Sequence, residues 1–309
     1  MPPLKVALVG CGHIAKTAHL PAYRALGGRV SLVTFCDTNL AAAKELARQY
    51  NVPKAYASIS EMLATEKPDL VDISTPPQPH RQLVVAAAEA GCNVFVEKPL
   101  AVTLGDCDEM IAAAKRAGVR LNVNHNQLFH HPMLSALERM RRGELGRVVS
   151  VHINHLLKRS SYLGKDHWSQ GITGGILYDI LIHPAYLSME ILGGVEAVRA
   201  SARKRTDLDW VLLDDFEMEL RGRDATSTIY MGHVSSHWKY CIEILGTERS
   251  LTVDMLNSNV MDYRLEDQKI ITKNKLSLGL SAGFFSNAIL GSIPTEKKRW
   301  FNSHKASVE

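Results

Sequence analysis

The sequence predicts an α/β chain in two parts: a doubly wound parallel sheet over residues 1–124, then an α+β domain over residues 125–309 with a large, mostly antiparallel, open-faced sheet. Three observations carry that reading. Up to about residue 123, short apolar runs rich in Val, Ile and Leu alternate with alanine-rich segments of helical period, the pattern of a parallel sheet with crossover helices. Beyond residue 124 the runs lengthen and alternate apolar with polar, as strands do when one sheet face is covered. The composition, 46% hydrophobic and 22% charged over 309 residues, is that of a folded globular chain and excludes disorder or a collagen-like fibre.

In the first part, strands are expected at Lys5 to Val9, Val30 to Cys36, Leu70 to Ile73, Asn93 to Val96 and Val119 to Val123. Each is nearly all apolar because helices cover both faces of such a sheet. Helices are expected at Leu40 to Gln49, Gln82 to Ala90 and Leu104 to Ala117, with Gly91 and Gly118 placed to end the last two. In the second part the alternating strands are Val148 to Leu156, Phe216 to Leu220, Thr226 to Met231 and Cys241 to Leu245. The stretch Ile242 to Val253 reads as two strands joined around Gly246, hence an antiparallel pair. One long apolar helix, Ile176 to Leu192, is expected to cover this sheet, leaving the other face to water or to another subunit.

Charge narrows the partners. The 36 Lys and Arg against 32 Asp and Glu give a formal +4, scattered rather than gathered, so no nucleic-acid partner is expected. No run approaches the roughly 18 apolar residues of a membrane span. The apolar start Leu4 to Val9 meets glycines without a signal-peptide cleavage pattern, so a cytoplasmic location and no membrane partner are expected. The five cysteines Cys11, Cys36, Cys92, Cys107 and Cys241 contain no C-x-x-C pair and are expected to be reduced and mostly buried. His125, His130 and His131 cluster, but no carboxylate or thiolate stands at ligand spacing, so no metal site is expected.

The strongest local signal is Gly10-Cys-Gly12-His13-Ile14-Ala15, a G-x-G-x-x-A turn between the first strand and a helical stretch, the setting of the Rossmann dinucleotide fingerprint. Gly10 permits the tight turn, Gly12 lets backbone approach a pyrophosphate, and small Ala15 allows close packing; His13 and Ile14 share the turn. Asp37 ends the second strand, where a carboxylate can bind both adenosine ribose hydroxyls and repel a 2′-phosphate, so NAD is expected in preference to NADP. Lys44 and Arg48 can reach the same region, and Asp37 also reads as a helix N-cap. The stiff loop Ser74-Thr75-Pro76-Pro77-Gln78-Pro79-His80 suits a cofactor wall at the carboxyl edge of the sheet, or an extended turn that starts a helix with His80 as a hydrogen-bonder. The Glu97-Lys98-Pro99 loop lies at the same edge; an ammonium fixed there can stabilise alkoxide character during hydride transfer. Further on, Asp179 and His183 stand four residues apart on one face of an apolar helix, as a proton-transfer pair or a structural hydrogen-bonded pair. Pro184 predicts a kink at His183.

Taken together, Gly10-x-Gly12, His19-Leu20-Pro21, Asp37, Ser74-Thr75-Pro76, Glu97-Lys98-Pro99 and Gly174-Gly175 followed by Asp179 and His183 resemble the Gfo/Idh/MocA oxidoreductase family over nearly the whole chain. The resemblance implies Lys98, Asp179 and His183 as the catalytic set, with Asn126 and Trp168 beside them toward substrate. It implies an NAD-dependent dehydrogenase acting on a secondary alcohol of a sugar, polyol or related hydroxylated small molecule, and a homodimer or homotetramer through the C-terminal sheet. Departures are visible. Where many relatives carry Trp-Arg, this chain has Trp168-Ser169, and the triple glycine is Thr173-Gly174-Gly175. An R-R-F-x-P stretch becomes Asn126-Gln127-Leu128-Phe129-His130-His131-Pro132, which disfavours anionic substrates. The sequence ends at Glu309 soon after Phe285-Ser-Asn-Ala-Ile289, whereas many members continue through a strand and a helix that return to the first domain, so the resemblance does not supply closure of the active site. Two other readings stand beside the dehydrogenase: redox-assisted elimination or glycoside cleavage with retained NAD, and a non-catalytic dinucleotide-sensing regulator.

Overall fold

The computed structural model describes residues 2–158, 167–172 and 174–264. Thr173 and the Phe285 to Ile289 stretch lie outside the described residues. The chain divides into two compact units, with Asn126 in the first and Gln127 in the second.

In the first unit six strands form one sheet: β1 (Leu4–Val9), β2 (Val30–Cys36), β3 (Lys54–Tyr56), β4 (Leu70–Ile73), β5 (Asn93–Val96) and β6 (Leu121–Val123). Their order is β3-β2-β1-β4-β5-β6, every neighbouring pair parallel. The order reverses between β1 and β4, the switch point at whose carboxyl edge open α/β sheets bind ligands. Successive side chains of β1 explain the unbroken apolar runs. Ala7 and Val9 join Val71, Ile73, Val84 and Met110 in one core, while Leu8 joins Phe35, Ala43 and Leu46 in another.

The helices of this unit are α1 (Leu20–Leu26), α2 (Leu40–Tyr50), α3 (Ile59–Glu66), α4 (His80–Glu89) and α5 (Leu104–Ala117). Asn39 accepts the Ala42 N–H at 3.2 Å to start α2, and Thr103 accepts the Asp106 N–H at 3.1 Å to start α5. Ahead of α1 the residues Ala15–His19 form a π-helical turn, in which the Leu20 N–H reaches back to the Ala15 carbonyl. Pro21 accounts for the wider turn: it has no N–H to give, and in a regular α-turn its ring meets the carbonyl of Thr17. The turn carries His19 into the interior.

The second unit holds a seven-stranded sheet ordered β13-β12-β11-β7-β10-β9-β8. Its strands are β7 (Val148–Lys158), β8 (Ala197–Arg203), β9 (Asp215–Arg221), β10 (Thr226–Ser235), β11 (Lys239–Gly246), β12 (Arg249–Asp254) and β13 (Asn259–Arg264). All neighbours are antiparallel except the central β7–β10 pair, which is parallel. Two helices, α6 (His131–Arg141) and α7 (Gly175–Leu192), share the cover expected of one. Met133, Ala136 and Leu137 from α6 and Tyr186, Leu187 and Ile191 from α7 pack with Val151, Ile153, Ile229, Ile242 and Ile244. The opposite face is polar. Strand register lines up Arg199, Glu219, Thr228, His152 and Glu243 along the wall of a broad hollow of about 660 Å³. Helix α7 carries Pro184 in its interior, with helical residues on both sides.

Two histidines, His155 on β7 and His233 on β10, are buried in this unit. His155 stacks on Tyr240 at 4.0 Å between ring centroids. Burial, reinforced by His233, pushes His155 down to about 3; burial pushes His233 down to about 4 against the opposing charge of Asp214. Both are neutral when folded, whereas the unfolded chain protonates them below about pH 6.5, so their contribution to stability is complete above that pH and lost as pH falls toward 4. Each histidine is expected to cost up to about 2 kcal/mol at pH 5. Urea unfolding followed by Trp168, Trp210 and Trp238 fluorescence checks this: the midpoint falls between pH 7 and pH 5 and falls less in His155→Gln and His233→Gln, whereas a flat wild-type midpoint contradicts it.

Candidate functional site

The glycine turn is pinned from both sides. The Gly10 N–H donates to the Cys36 carbonyl at 2.8 Å, and the Ser74 hydroxyl donates to the Gly10 carbonyl at 2.8 Å. Gly10 has φ +94°, and a Cβ there would stand 2.8 Å from Thr75 Cγ2 and 2.9 Å from the Ser74 carbonyl carbon. Conformation and space therefore both require glycine. At Gly12 a Cβ would meet nothing within 4 Å, so the backbone here faces open space. His13 is exposed and Ile14 half-exposed beside it.

Asp37 joins this turn to the end of β2. Its Oδ2 accepts the Cys11 N–H and its Oδ1 accepts the Asn39 N–H, both at 2.8 Å. The helix cap is Asn39 rather than Asp37. A carboxylate offers about four acceptor positions, so both oxygens retain capacity for ribose hydroxyls. The open backbone at Gly12 and this half-exposed carboxylate have the space and acceptor capacity that a dinucleotide requires. Arg48 is engaged by Glu45 on the exposed side of α2 at 2.8 Å. Burial and then Asp37 push the Cys11 thiol up to about 12, so this residue of the turn is a packing group and not a nucleophile.

Thr75 is partly exposed and Pro76 exposed along the second loop, and Ser74 is buried under it. His80 is fully buried at the start of α4, with Nδ1 3.0 Å from the Leu100 carbonyl and Nε2 3.0 Å from the Thr75 carbonyl. Burial pulls its pKa down against those two carbonyls. Its ring lies between the Ser74 loop and the Glu97 loop, and its one N–H in the neutral form donates to one of the two carbonyls.

Glu97 also works from beneath. Its Oε1 accepts from His19 Nε2 at 2.8 Å and from Asn124 Nδ2 at 2.6 Å, and its Oε2 accepts the Lys98 N–H at 3.1 Å. On its other side His19 bonds Asp72 Oδ2 through Nδ1 at 2.7 Å. His19 and Asp72 are fully buried. Burial opposes a charged imidazole, but Asp72 and then Glu97 outweigh it and push His19 up to about 10, which favours the imidazolium. The same carboxylate of Asp72, added to burial, keeps the Tyr23 phenol protonated. Lys98, half-buried, follows this network across a cis peptide to Pro99. Sequence reasoning found Glu97 and Lys98 but used His19 only as a family marker and passed over Asp72. The available signal was a lone carboxylate inside the apolar run Leu70–Ile73. Asn126 is buried in the short turn Asn126–Phe129 after β6, next to His125, whose pKa is pulled down by burial.

In the second unit, Gly174 caps α7 with φ +92°. Asp179 and His183 follow one turn apart on the helix, both half-exposed. His183 Nδ1 lies 2.8 Å from the Tyr186 hydroxyl, which accepts the Gln127 N–H at 3.1 Å; the Tyr240 hydroxyl donates to Gln127 Oε1 at 2.5 Å. Tyr186 and Tyr240 are absent from the sequence-derived site. The i,i+3 spacing of His183 and Tyr186 was the signal for the first. Trp168 is half-buried in the turn Trp168–Gly171, which His167 caps by accepting the Ser169 N–H at 3.3 Å. Lys98 belongs to the first unit and Asp179 and His183 to the second. Among the described residues no group of three His, Cys, Asp or Glu could hold a metal ion, and no helix is long and apolar enough to cross a membrane.

The two glycines of the turn predict opposite outcomes. Gly10→Ala is expected to cost about 2–3 kcal/mol of stability, because it adds a clash to a strained φ. Gly12→Ala is expected to leave stability within about 0.5 kcal/mol and to weaken dinucleotide binding roughly tenfold. Thermal unfolding paired with a nucleotide titration checks both; equal effects of the two variants on stability contradict the geometry.

Comparison with known proteins agrees with this architecture. The family profile described as "Oxidoreductase family, NAD-binding Rossmann fold" matches residues 4–125, and that of the GFO/IDH/MocA C-terminal domain matches residues 133–252. A 1,5-anhydro-D-fructose reductase from Ensifer adhaerens is 34% identical over 182 residues, which cover 58% of this chain and 53% of that protein. A D-apiose dehydrogenase from Paraburkholderia graminis is 37% identical over 201 residues, covering 65% of this chain and 52% of that protein. The matched stretch thus spans about half the length of these relatives. The crystal structure of an NAD binding oxidoreductase from Klebsiella pneumoniae has a TM-score of 0.76 at 27% identity, covering 86% of this chain and 77% of that one. With both of its units matched, the chain belongs to the Gfo/Idh/MocA oxidoreductase family.

Proposed function

We propose that this chain is an NAD-dependent oxidoreductase acting on a secondary alcohol of a sugar, polyol or related hydroxylated small molecule. The observation that carries the reading is the Asp37 carboxylate bonded to the Cys11 N–H beside the open backbone of Gly12. A negative charge at that point receives ribose hydroxyls and repels a 2′-phosphate, which favours NAD over NADP. The sugar chemistry of the two curated relatives, named for 1,5-anhydro-D-fructose and D-apiose, supports the substrate class.

Bound NAD supplies the two-electron acceptor. The chain's own residues supply the proton chemistry and the grip. The Lys98 ammonium holds the reacting oxygen and favours its alkoxide character. His183 accepts the hydroxyl proton, its ring oriented through Nδ1 by Tyr186. Asp179, one turn earlier, binds a neighbouring hydroxyl or orients the imidazole. The polar open face of the second sheet, with Arg199, Glu219 and Glu243 along its hollow, is assigned to contact with another copy of the chain.

Titration with NADH and NADPH, read by nicotinamide fluorescence, followed by a screen of aldoses, anhydrosugars and polyols with NAD, tests this reading. NADH is expected to bind at least about tenfold more tightly, and Asp37→Ala to erase most of that difference. With a turned-over sugar, His183→Ala is expected to lower kcat by about 10²–10⁴ and to remove the acid limb of the pH–rate profile. Equal or reversed nucleotide preference removes Asp37 from its role, and near-native turnover of His183→Ala at every pH removes the base assignment.

A further inference from the structure

We infer that His19 is the positioning residue for Lys98, acting through Glu97 from the buried side of the sheet edge. The inference rests on the reading of Lys98 as the group that meets the reacting oxygen. Lys98 lies just beyond β5 in a loop, where backbone is normally the least constrained part of a sheet edge. Here its N–H is held by Glu97 Oε2 at 3.1 Å. A carboxylate can present one oxygen in a fixed direction only if the other is also held, and Oε1 is clamped by His19 Nε2 at 2.8 Å and Asn124 Nδ2 at 2.6 Å. The clamp has its own anchor: His19 Nδ1 meets Asp72 Oδ2 at 2.7 Å, inside β4 at the switch point of the sheet.

The two carboxylates make the imidazole's protonation part of the geometry. Between two ionised carboxylates a neutral ring, with one N–H, serves Asp72 or Glu97 and sets a lone pair against the other. With both nitrogens donating, one positive charge separates two buried negative ones and both contacts are satisfied. Glutamine at position 19 can donate to one carboxylate but carries no charge. His19 closes the π-helical turn Ala15–His19. That turn begins three residues after Gly12, so the segment that offers backbone to the cofactor also carries the residue that sets the Lys98 loop.

The Lys98 amide itself gives the readout. With ¹³C at the carbonyl of Glu and ¹⁵N in Lys, only the Glu-Lys pairs of the sequence report: Glu66-Lys67, Glu97-Lys98 and Glu296-Lys297. The full chain and its His19→Gln and Asn124→Ala variants are compared by amide hydrogen exchange at Lys98, with Lys67 as internal reference, and by NADH affinity. Exchange at Lys98 is expected to quicken by about tenfold or more in His19→Gln and by a smaller factor in Asn124→Ala, with Lys67 unchanged and NADH affinity within about threefold. Unchanged Lys98 exchange in a folded His19→Gln overturns the inference. Should that variant fail to fold, Asn124→Ala decides alone, since it leaves the three charged groups in place, and unchanged exchange there overturns it equally. Turnover of a Lys98→Met variant is scored separately: retained turnover defeats the role of Lys98 in the reaction while the amide result stands.

Discussion

Between two ionised carboxylates His19 bonds Asp72 and Glu97 together only while both of its ring nitrogens carry protons, and the edge of the first unit is built around that contact. The ring joins the turn after the glycines to the interior of β4 and the end of β5, and through Asn124 to the residue after β6. Removing one partner leaves a buried charge without its counter-charge, which typically costs about 3–5 kcal/mol. The pKa of His19 is raised from 6.5 to about 10, so the stability it contributes is complete below about pH 6.5 and is lost as pH rises through 10. The edge is therefore held by a charge that stays in place across the neutral range.

Around that clamp the remaining contacts divide the work. Asp37 fixes the glycine turn from β2, Ser74 fixes it from the end of β4, and the buried His80 ring packs between the Ser74 loop and the Glu97 loop. None of these contacts consumes the open side of Gly12. In the second unit the same principle recurs with neutral groups. Tyr240, Gln127 and Tyr186 form a hydrogen-bonded chain that ends on His183, so an imidazole on a half-exposed helix face has its orientation set from the core. Buried polar networks of this kind specify one arrangement when every member is satisfied.

Much of the fold was legible because its signals are local. β1, β2, β4 and β5 are unbroken apolar runs, and the turn at Gly10 demands a residue without a Cβ. β3 is three residues long, too short to show a period, and α3 was passed over with it. The second sheet read correctly as mostly antiparallel, but the central β7–β10 pair is parallel, and nothing in the alternation of a strand states the direction of its neighbour.

The site was legible where a motif carries its own chemistry and illegible where a role arises from tertiary contact. Gly10, Gly12 and Asp37 stand together as the motif implies. The partnership of His19 with Asp72 and Glu97 spans 53 and 78 residues of sequence, and only the parallel order of the sheet brings the three to one point. Glu97 and His80 illustrate the difference. Both fall in motifs that suggest ligand contact, yet each is buried and bonds the backbone of the loops that carry Thr75 and Lys98.

The measurement that tests the account most directly is ¹⁵N NMR of the histidine rings at pH 8. A ring held between Asp72 and Glu97 shows both of its nitrogens protonated there, with a pattern that persists while ordinary histidines have become neutral. A His19 ring with one protonated nitrogen at pH 8 contradicts the buried imidazolium between two ionised carboxylates on which this account of the edge depends.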